Sequence, residues 1–361
     1  MPLQILGIGT AVPHFGIEQC EAARAAAAIG VAHGEDGDRL AKLYRVTGVT
    51  RRRSVLLEAE GNGCGNQHFF APAADSRDRG PSLSERMERY ESEAGPLALR
   101  AARQALEVSR IDPCQITHLV TVSCSGFAAP GVDIQLIKAL GLPATVERTH
   151  VGFMGCHGAF NGLRVARAFT DADPSAHVLV VAVELCSLHY YYGADMQRHV
   201  ANALFADGAA AVVASGAGEA DGWHITHTGS CLIPDSEAAM SWSIRNHGFE
   251  MTLSPDVPVL IRTHLRPWLE GWLAARDLTL DNIGTWAVHP GGPAILKSVA
   301  QALEIPRPQM QASWEVLQEF GNMSSPTILF ILESLRAANA PRPCVAIGFG
   351  PGLVAEAMLL T

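Results

Sequence analysis

Val151-Gly-Phe-Met-Gly-Cys-His-Gly-Ala-Phe-Asn-Gly-Leu-Arg164 sets Cys156 between glycines at the start of an amphipathic helix. Backbone N–H groups at a helix start favour a thiolate over a thiol. Small neighbours, Gly155 and Gly158, leave room for an acyl group beside the sulfur. Taken alone, such a cysteine is also an ordinary small apolar core residue, because most free cysteines are buried and inert. Two distant stretches decide between these readings.

In Trp286-Ala-Val-His-Pro-Gly-Gly-Pro293 a short apolar strand ends at His289 and breaks on Pro290, Gly291 and Gly292. Functional side chains are commonly presented at such strand ends. In Glu319-Phe-Gly-Asn-Met-Ser-Ser325, Asn322 precedes a helix over 326–339, where an amide donor suits developing oxygen charge. By themselves these read equally as a core histidine and a helix cap. Their spacing binds them together. Ser123 to Cys156 is 156 − 123 = 33 residues, and His289 to Asn322 is 322 − 289 = 33. Cys156 to Val178 is 178 − 156 = 22, and Asn322 to Cys344 is 344 − 322 = 22. Both halves therefore read strand, turn, helix, strand, turn, buried helix, strand. This is the pattern of an internal duplication. A pseudo-twofold axis would bring the starts of the two buried helices together, so that Cys156 faces Asn322 with His289 beside them.

The surrounding composition fits a well-covered core. Apolar residues make up 48% of the 361 and charged residues only 17%, which implies large buried surfaces and also fits a stable oligomer. A net charge of −9 argues against nucleic-acid binding. Eight scattered cysteines without a C-x-x-C pair read as a reducing cytoplasm. The start, Met1-Pro-Leu-Gln-Ile-Leu, carries neither a basic region nor a long apolar run, and the alanine-rich 22–32 is too short to span a bilayer, so no stable membrane anchor is expected. Cys64 and His68 have metal-ligand spacing but no second pair, so no metal is expected.

Along the chain, 3–9 reads as a strand, 18–30 as a helix, 57–81 as an exposed excursion and 84–108 as a long helix. The connector 215–222 lacks periodicity and places the boundary between halves 1–218 and 219–361. A second first strand over 223–231 and a second long helix over 258–275 follow. Gly348-Phe-Gly-Pro-Gly352 has the composition of a phosphate loop, but an apolar strand follows it where a dinucleotide site needs a helix. Alternating buried strands and helices make the fold class α/β.

His289-Pro-Gly-Gly-Pro-Ala-Ile-Leu296, Gly321-Asn-Met-Ser-Ser325, Leu329-Phe-Ile-Leu332 and Gly348-Phe-Gly-Pro-Gly-Leu353 together resemble the type III polyketide synthases, the chalcone synthase-like branch of the thiolase superfamily. Leu204-Phe-Ala-Asp-Gly-Ala-Ala-Ala-Val212 resembles the family's gatekeeper segment, with Phe205 as gatekeeper. The resemblance implies a thiolase-like five-layered α-β-α-β-α fold of two duplicated halves and a homodimer. It implies Cys156 as acyl-carrying nucleophile, His289 and Asn322 as its partners, and acyl-CoA and malonyl-CoA as substrates, with no metal or redox cofactor. The residue chemistry agrees: a His289 imidazolium would pair with a Cys156 thiolate, and His289 and Asn322 would hold the enolate oxygen formed by decarboxylation. Arg51, Arg52 and Arg53 match a basic segment that meets the CoA phosphates.

Several positions depart from the plant enzymes. Trp242 replaces a small glycine of the elongation cavity, Cys124 a threonine, His189 another threonine, and Ala129 a methionine that reaches the partner subunit. With Ser125, and with Met251 and Leu253 in the run 246–253, they make up the expected substrate pocket. The pattern resembles bacterial enzymes that extend long-chain acyl starters to alkylpyrones or alkylresorcinols. A ketoacyl synthase fed by a carrier protein, a simple acyltransferase and a silent thiolase-fold binding subunit are the rival readings. The intact Cys156, His289 and Asn322 speak against the last of these.

Overall fold

A computed structural model describes residues 2–34, 36–58, 67–216 and 222–361. The first half runs β1 (Leu3–Ala11), β2 (Gly16–Glu18), α1 (Gln19–Ile29), α2 (Gly37–Val46), β3 (Arg51–Arg53), α3 (Leu83–Ser109), β4 (His118–Ser123), α4 (Val132–Leu140), β5 (Glu147–Gly152), α5 (Gly158–Ala172), β6 (His177–Leu185), α6 (Met196–Leu204) and β7 (Asp207–Ser215). The second runs β8 (Trp223–Leu232), β9 (Met240–Arg245), β10 (Gly248–Leu253), α7 (Val257–Ala274), β11 (Thr285–Val288), α8 (Pro293–Leu303), α9 (Gln311–Phe320), α10 (Thr327–Ala337), β12 (Cys344–Gly350) and β13 (Val354–Leu360). The long helix expected from residue 84 is α3. Its start is fixed by Ser82, whose hydroxyl accepts from Glu85 N while the Glu85 carboxylate caps Ser82 N. Cys64 and part of the connector, 217–221, lie outside the described residues.

The strand order β11-β12-β13-β8-β1-β7-β6-β4-β5 displays the duplication. Outward from the central joint, each half places its first strand, then its last, then its last but one, then its second. β4 pairs in parallel with β6 from His118↔Val178, and β11 pairs in parallel with β12 from Thr285↔Cys344. Three antiparallel pairs, Leu3↔Ile225 to Ile5↔Trp223, join the half-sheets through β1 and β8.

One expected element is replaced. The counterpart of β5 in the second half falls at 313–318, because 147 + 166 = 313 and 152 + 166 = 318. Helix α9 occupies it. Its buried residues Ala312, Ser313, Val316 and Leu317 recur at helical spacing, whereas the exposed-edge strand β5 carries polar and β-branched residues. The sheet therefore ends at β11 on that side, one strand short of symmetry.

The layers follow from which faces are apolar. Leu163 and Ala166 of α5 and Ile328 and Leu332 of α10 share one core with Val120, Val180 and Val212 of the first half-sheet and Ala287, Ala346 and Met358 of the second. These two helices are thus the middle layer. Outside the first half-sheet lies α3, packed through Ala98, Ala101 and Ala105. Outside the second lie α7 and α8, packed through Leu265, Leu269 and Leu296 onto Val288, Val345 and Ile347. The five layers are α-β-α-β-α. No described helix is long and apolar enough to cross a membrane.

Candidate active site

The two middle helices start side by side, and that is where the sequence-predicted trio meets. Cys156 lies in a 3-10 turn, Gly155–His157, that leads directly into α5. Asn322 follows α9, and its backbone is fixed from both sides: its N–H donates to Leu204 O at 2.9 Å and its carbonyl accepts from Ala206 N at 2.9 Å. His289 follows β11 and is held by its N–H to Ile347 O at 2.8 Å. All three line one chamber of about 40 Å³, closed by Phe205, Leu204, Met251 and Phe349.

Side-chain orientation is equally specific. Asn322 Oδ1 accepts from Ser324 N at 2.8 Å, which leaves the amide N–H groups as the groups to present. Asn322 and Ser324 both reach the Cys156 thiol with hydrogen-bond donors. Neither ring nitrogen of His289 has a hydrogen-bond partner among the described residues, although the residue is 1% exposed. A buried imidazole with both nitrogens unspent is poised for a substrate or a proton.

Burial acts on both reacting groups. Burial pushes the Cys156 thiol up to about 11, against the pull of the Ser324 and Asn322 donors. Burial pushes His289 down to about 3, with His157 nearby acting in the same direction. Burial thus disfavours the charged form of each group, and a thiolate–imidazolium pair would need each charge to offset the other's loss of hydration.

The glycines beside the nucleophile also have another use. Gly155 has φ +66°, and a Cβ there would lie 2.4 Å from Pro351 Cδ. A Cβ on Gly158 would lie 2.8 Å from Val122 Cγ1. The space they leave is filled by the loop after β12 and by β4, not by an acyl group.

Beyond the catalytic chamber lie a small void of about 10 Å³ and a cavity of about 400 Å³. Phe205 and Met251 border all three spaces, and Trp242 stands between the void and the large cavity. Cys124 lines the void with its Sγ 3.4 Å from Ser324 Oγ. Leu253 lines the catalytic chamber and His189 the large cavity. Two expected pocket residues are elsewhere. Ser125 is fully buried and its hydroxyl is spent, donating to Glu184 at 2.6 Å and accepting from Leu185 N at 2.8 Å. Ala129 is exposed on the loop after β4 and lines none of the three spaces.

The arginines divide. Arg52 is not a phosphate ligand: burial lowers its pKa, and it donates to Asn202 O at 2.6 Å, Phe205 O at 2.8 Å and Gln19 Oε1 at 2.9 Å. Arg51 faces Glu18 at 3.8 Å. Arg53 donates to His14 O at 2.9 Å at the edge of the large cavity.

Sequence reasoning missed Glu184. It lies at the end of β6, fully buried, and accepts from Cys124 N, Ser125 Oγ and Ser325 Oγ at 2.9, 2.6 and 2.6 Å. Burial raises its pKa while these donors lower it. It ties the loop after β4 to the loop before α10. One acid closing the apolar run His177-Val-Leu-Val-Val-Ala-Val-Glu-Leu185 was the signal for it.

Known proteins share this architecture throughout. The family model "Chalcone and stilbene synthases, N-terminal domain" matches residues 2–218, and its C-terminal counterpart matches 224–361. The chain is 31% identical to the alpha-pyrone synthesis polyketide synthase-like Pks18 of Mycobacterium tuberculosis, over 98% of this chain and 90% of that protein. It is 34% identical to the 1,3,6,8-tetrahydroxynaphthalene synthase of Streptomyces peucetius subsp. caesius, over 99% and 92%. PKS-I from the brown alga Ectocarpus siliculosus superposes with a TM-score of 0.92 at 30% identity, covering 99% of this chain and 98% of that one. With matches spanning both halves and a fold shared from end to end, the chain belongs to the chalcone and stilbene synthase family and is a type III polyketide synthase, an acyltransferase that condenses malonyl-CoA onto a starter.

Proposed function

We propose that this enzyme carries a long-chain acyl starter on Cys156, extends it with malonyl-CoA, and releases a pyrone or resorcinol-type product. The observation that carries this reading is the contrast in volumes. About 40 Å³ around the nucleophile holds only reacting atoms, whereas about 400 Å³ beyond Phe205 and Met251 falls in the ordinary range for a bound small molecule, about 300–1,000 Å³. Ala22, Ala26, Ile29 and Phe70 form an apolar stretch of that cavity's wall suited to a hydrocarbon chain, with Arg79, Arg198 and Glu250 among its polar lining. A relative whose name specifies alpha-pyrone synthesis supports the same product class.

The chemistry uses the trio in two steps. In loading, Cys156 Sγ attacks the starter thioester, its proton passes to His289, and CoA leaves as the thiol once that proton is returned. In extension, the malonyl carbon–carboxylate bond breaks, CO2 leaves, and the electron pair becomes an enolate. The Asn322 amide and a protonated His289 nitrogen hold its oxygen. The enolate carbon then attacks the Cys156 thioester and the cysteine sulfur leaves. Repetition builds the polyketone, and cyclisation releases it.

The active enzyme in this proposal is a homodimer with half-boundaries near 218, acting in the cytoplasm. Phe127, Phe153 and Met154 are large apolar side chains left 64%, 40% and 44% exposed, the last two just before the Cys156 turn, and a second copy would cover them. Mass spectrometry of products from a series of acyl-CoA starters with malonyl-CoA tests the reading. Products from short starters only would overturn the long-chain starter, and products from carrier-protein thioesters only would overturn loading from acyl-CoA.

A further inference from the structure

The hairpin of β9 and β10 stands apart from the main sheet and pairs only with itself. Its inner face carries Trp242, Phe249 and Met251. Besides Leu83 N–H to Asn246 O at its turn, one direct hydrogen bond and one bridge through His189 tie it to consecutive carbonyls of the loop after β4. Trp242 Nε1–H donates to Cys124 O at 2.7 Å. Phe249 N–H donates to His189 Nδ1 at 2.9 Å, while His189 Nε2 lies 2.6 Å from Ser125 O. A carbonyl only accepts, so the imidazole carries its proton on Nε2 and is neutral. Its ring stacks on Phe249 at 4.2 Å and 10° and meets Trp242 edge-on at 5.5 Å and 89°. Trp242 and Phe249 meet edge-on in turn, 5.8 Å apart at 88°. The three rings form one cluster beside the catalytic chamber.

We infer that His189 is a positioning residue for chain length: by bridging Ser125 O and Phe249 N it fixes the hairpin, and so holds the Trp242 indole as a rigid wall between the nucleophile and the large cavity. The inference rests on the reading that the growing chain enters that cavity. A free indole on a two-stranded hairpin would swing and leave the cavity boundary undefined. With both neighbours anchored, the wall keeps one position, and the space left past Phe205 and Met251 is set by it. The bridge needs one donor and one acceptor in line across a flat group. Threonine or serine cannot span both partners, but glutamine can. Burial pushes His189 down to about 3, with Arg86 opposing a positive charge there, so the bridge persists at neutral pH.

His189→Ser, His189→Gln and Trp242→Phe are compared with the parent enzyme, using long and short acyl-CoA starters, malonyl-CoA, product mass spectrometry and thermal melting. His189→Ser is expected to change the ratio of kcat/KM between long and short starters by about tenfold, the scale of one buried hydrogen bond. It should also shift the product distribution by a ketide unit, while malonyl-CoA decarboxylation falls much less. Trp242→Phe keeps a ring but loses the donor, and should shift both in the same direction. His189→Gln should restore the parental pattern. Parental starter preference and products in folded His189→Ser, or in Trp242→Phe if the serine variant does not fold, overturn the inference. Ala26→Phe, in the wall of the large cavity, separates the underlying reading. A shift in His189→Ser with none in Ala26→Phe overturns the chain's place in that cavity. A shift in Ala26→Phe with none in His189→Ser overturns the lock.

Discussion

Arg52 Nη1 lies 2.8 Å from the carbonyl oxygen of Phe205 and donates to it. The same nitrogen serves Asn202 O, so one half-buried cation shapes the chain on which the gatekeeper side chain stands. Arg52→Ala should therefore act through the fold. Each carbonyl left without a donor costs about 1–3 kcal/mol. A clear drop in melting temperature and in kcat is expected, with little change in the KM for malonyl-CoA among molecules that stay folded. A raised KM at parental stability would restore Arg52 to the CoA site.

Asn322→Ala should separate the two half-reactions. The amide is aimed by Ser324 N at 2.8 Å and meets an oxygen that gains charge only during decarboxylation. Loss of such a donor costs about 2.7–4 kcal/mol, or roughly a hundred- to thousandfold in rate. Acyl transfer from a radiolabelled starter to Cys156 should persist, while CO2 release from malonyl-CoA falls by that factor. Equal losses in both steps would mean that Asn322 only shapes the nucleophile's surroundings.

The positions of Cys156, His289 and Asn322 were legible because spacing along the chain survives when residue identity between halves does not. Equal intervals of 33 and 22 residues lead to equivalent strand ends and helix starts, and a twofold arrangement then puts them together. The replacement of a strand by α9 was hidden by the same regularity, since an interval fixes length and not conformation. Helical spacing at Ala312, Ser313, Val316 and Leu317 was the contrary signal. The destination of Arg52 was not legible. Its partners are backbone carbonyls, which leave no mark in the sequence. Trp242 was legible as a cavity residue, but its anchoring was not: it depends on Cys124 O directly and on Ser125 O through His189, more than a hundred positions earlier for Trp242.

Gly155→Ala tests what the glycine beside the nucleophile does. Its φ of +66° disfavours any Cβ by about 1–2 kcal/mol, and the new atom would meet the Pro351 ring at 2.4 Å. The turn that aims Cys156 must then move. Activity should fall by at least about a hundredfold, the cost of a displacement of about 1 Å at a reacting atom. Gly158→Ala would bring a Cβ within 2.8 Å of Cγ1 of the buried, branched Val122, a costly contact, but its backbone is not in the left-handed region, so it should cost less than Gly155→Ala. Equal and mild effects in both variants, with a changed starter preference, would return these glycines to the acyl pocket.

The acid side of the stability curve reports on His289. Burial pushes it to about 3, while an unfolded histidine titrates near ~6.5. Between those values the unfolded chain binds a proton that the folded chain does not. The stability contributed by the buried neutral imidazole is therefore complete above about pH 6.5 and is lost as pH falls toward 3. The slope is ~1.4 kcal/mol per pH unit for each such group. His189, also pushed to about 3, adds a second. His289→Gln removes one proton from this balance and leaves the other. Urea unfolding at several pH values between 7 and 4, at fixed protein concentration, should give a slope shallower by that amount than in the parent. Equal slopes would mean that the folded enzyme binds as many protons at this site as the unfolded chain, with His289 protonated while Cys156 keeps its own proton, and would overturn the buried neutral imidazole. A thiol–imidazole pair and a thiolate–imidazolium pair hold the same number of protons, so the slope reads their sum.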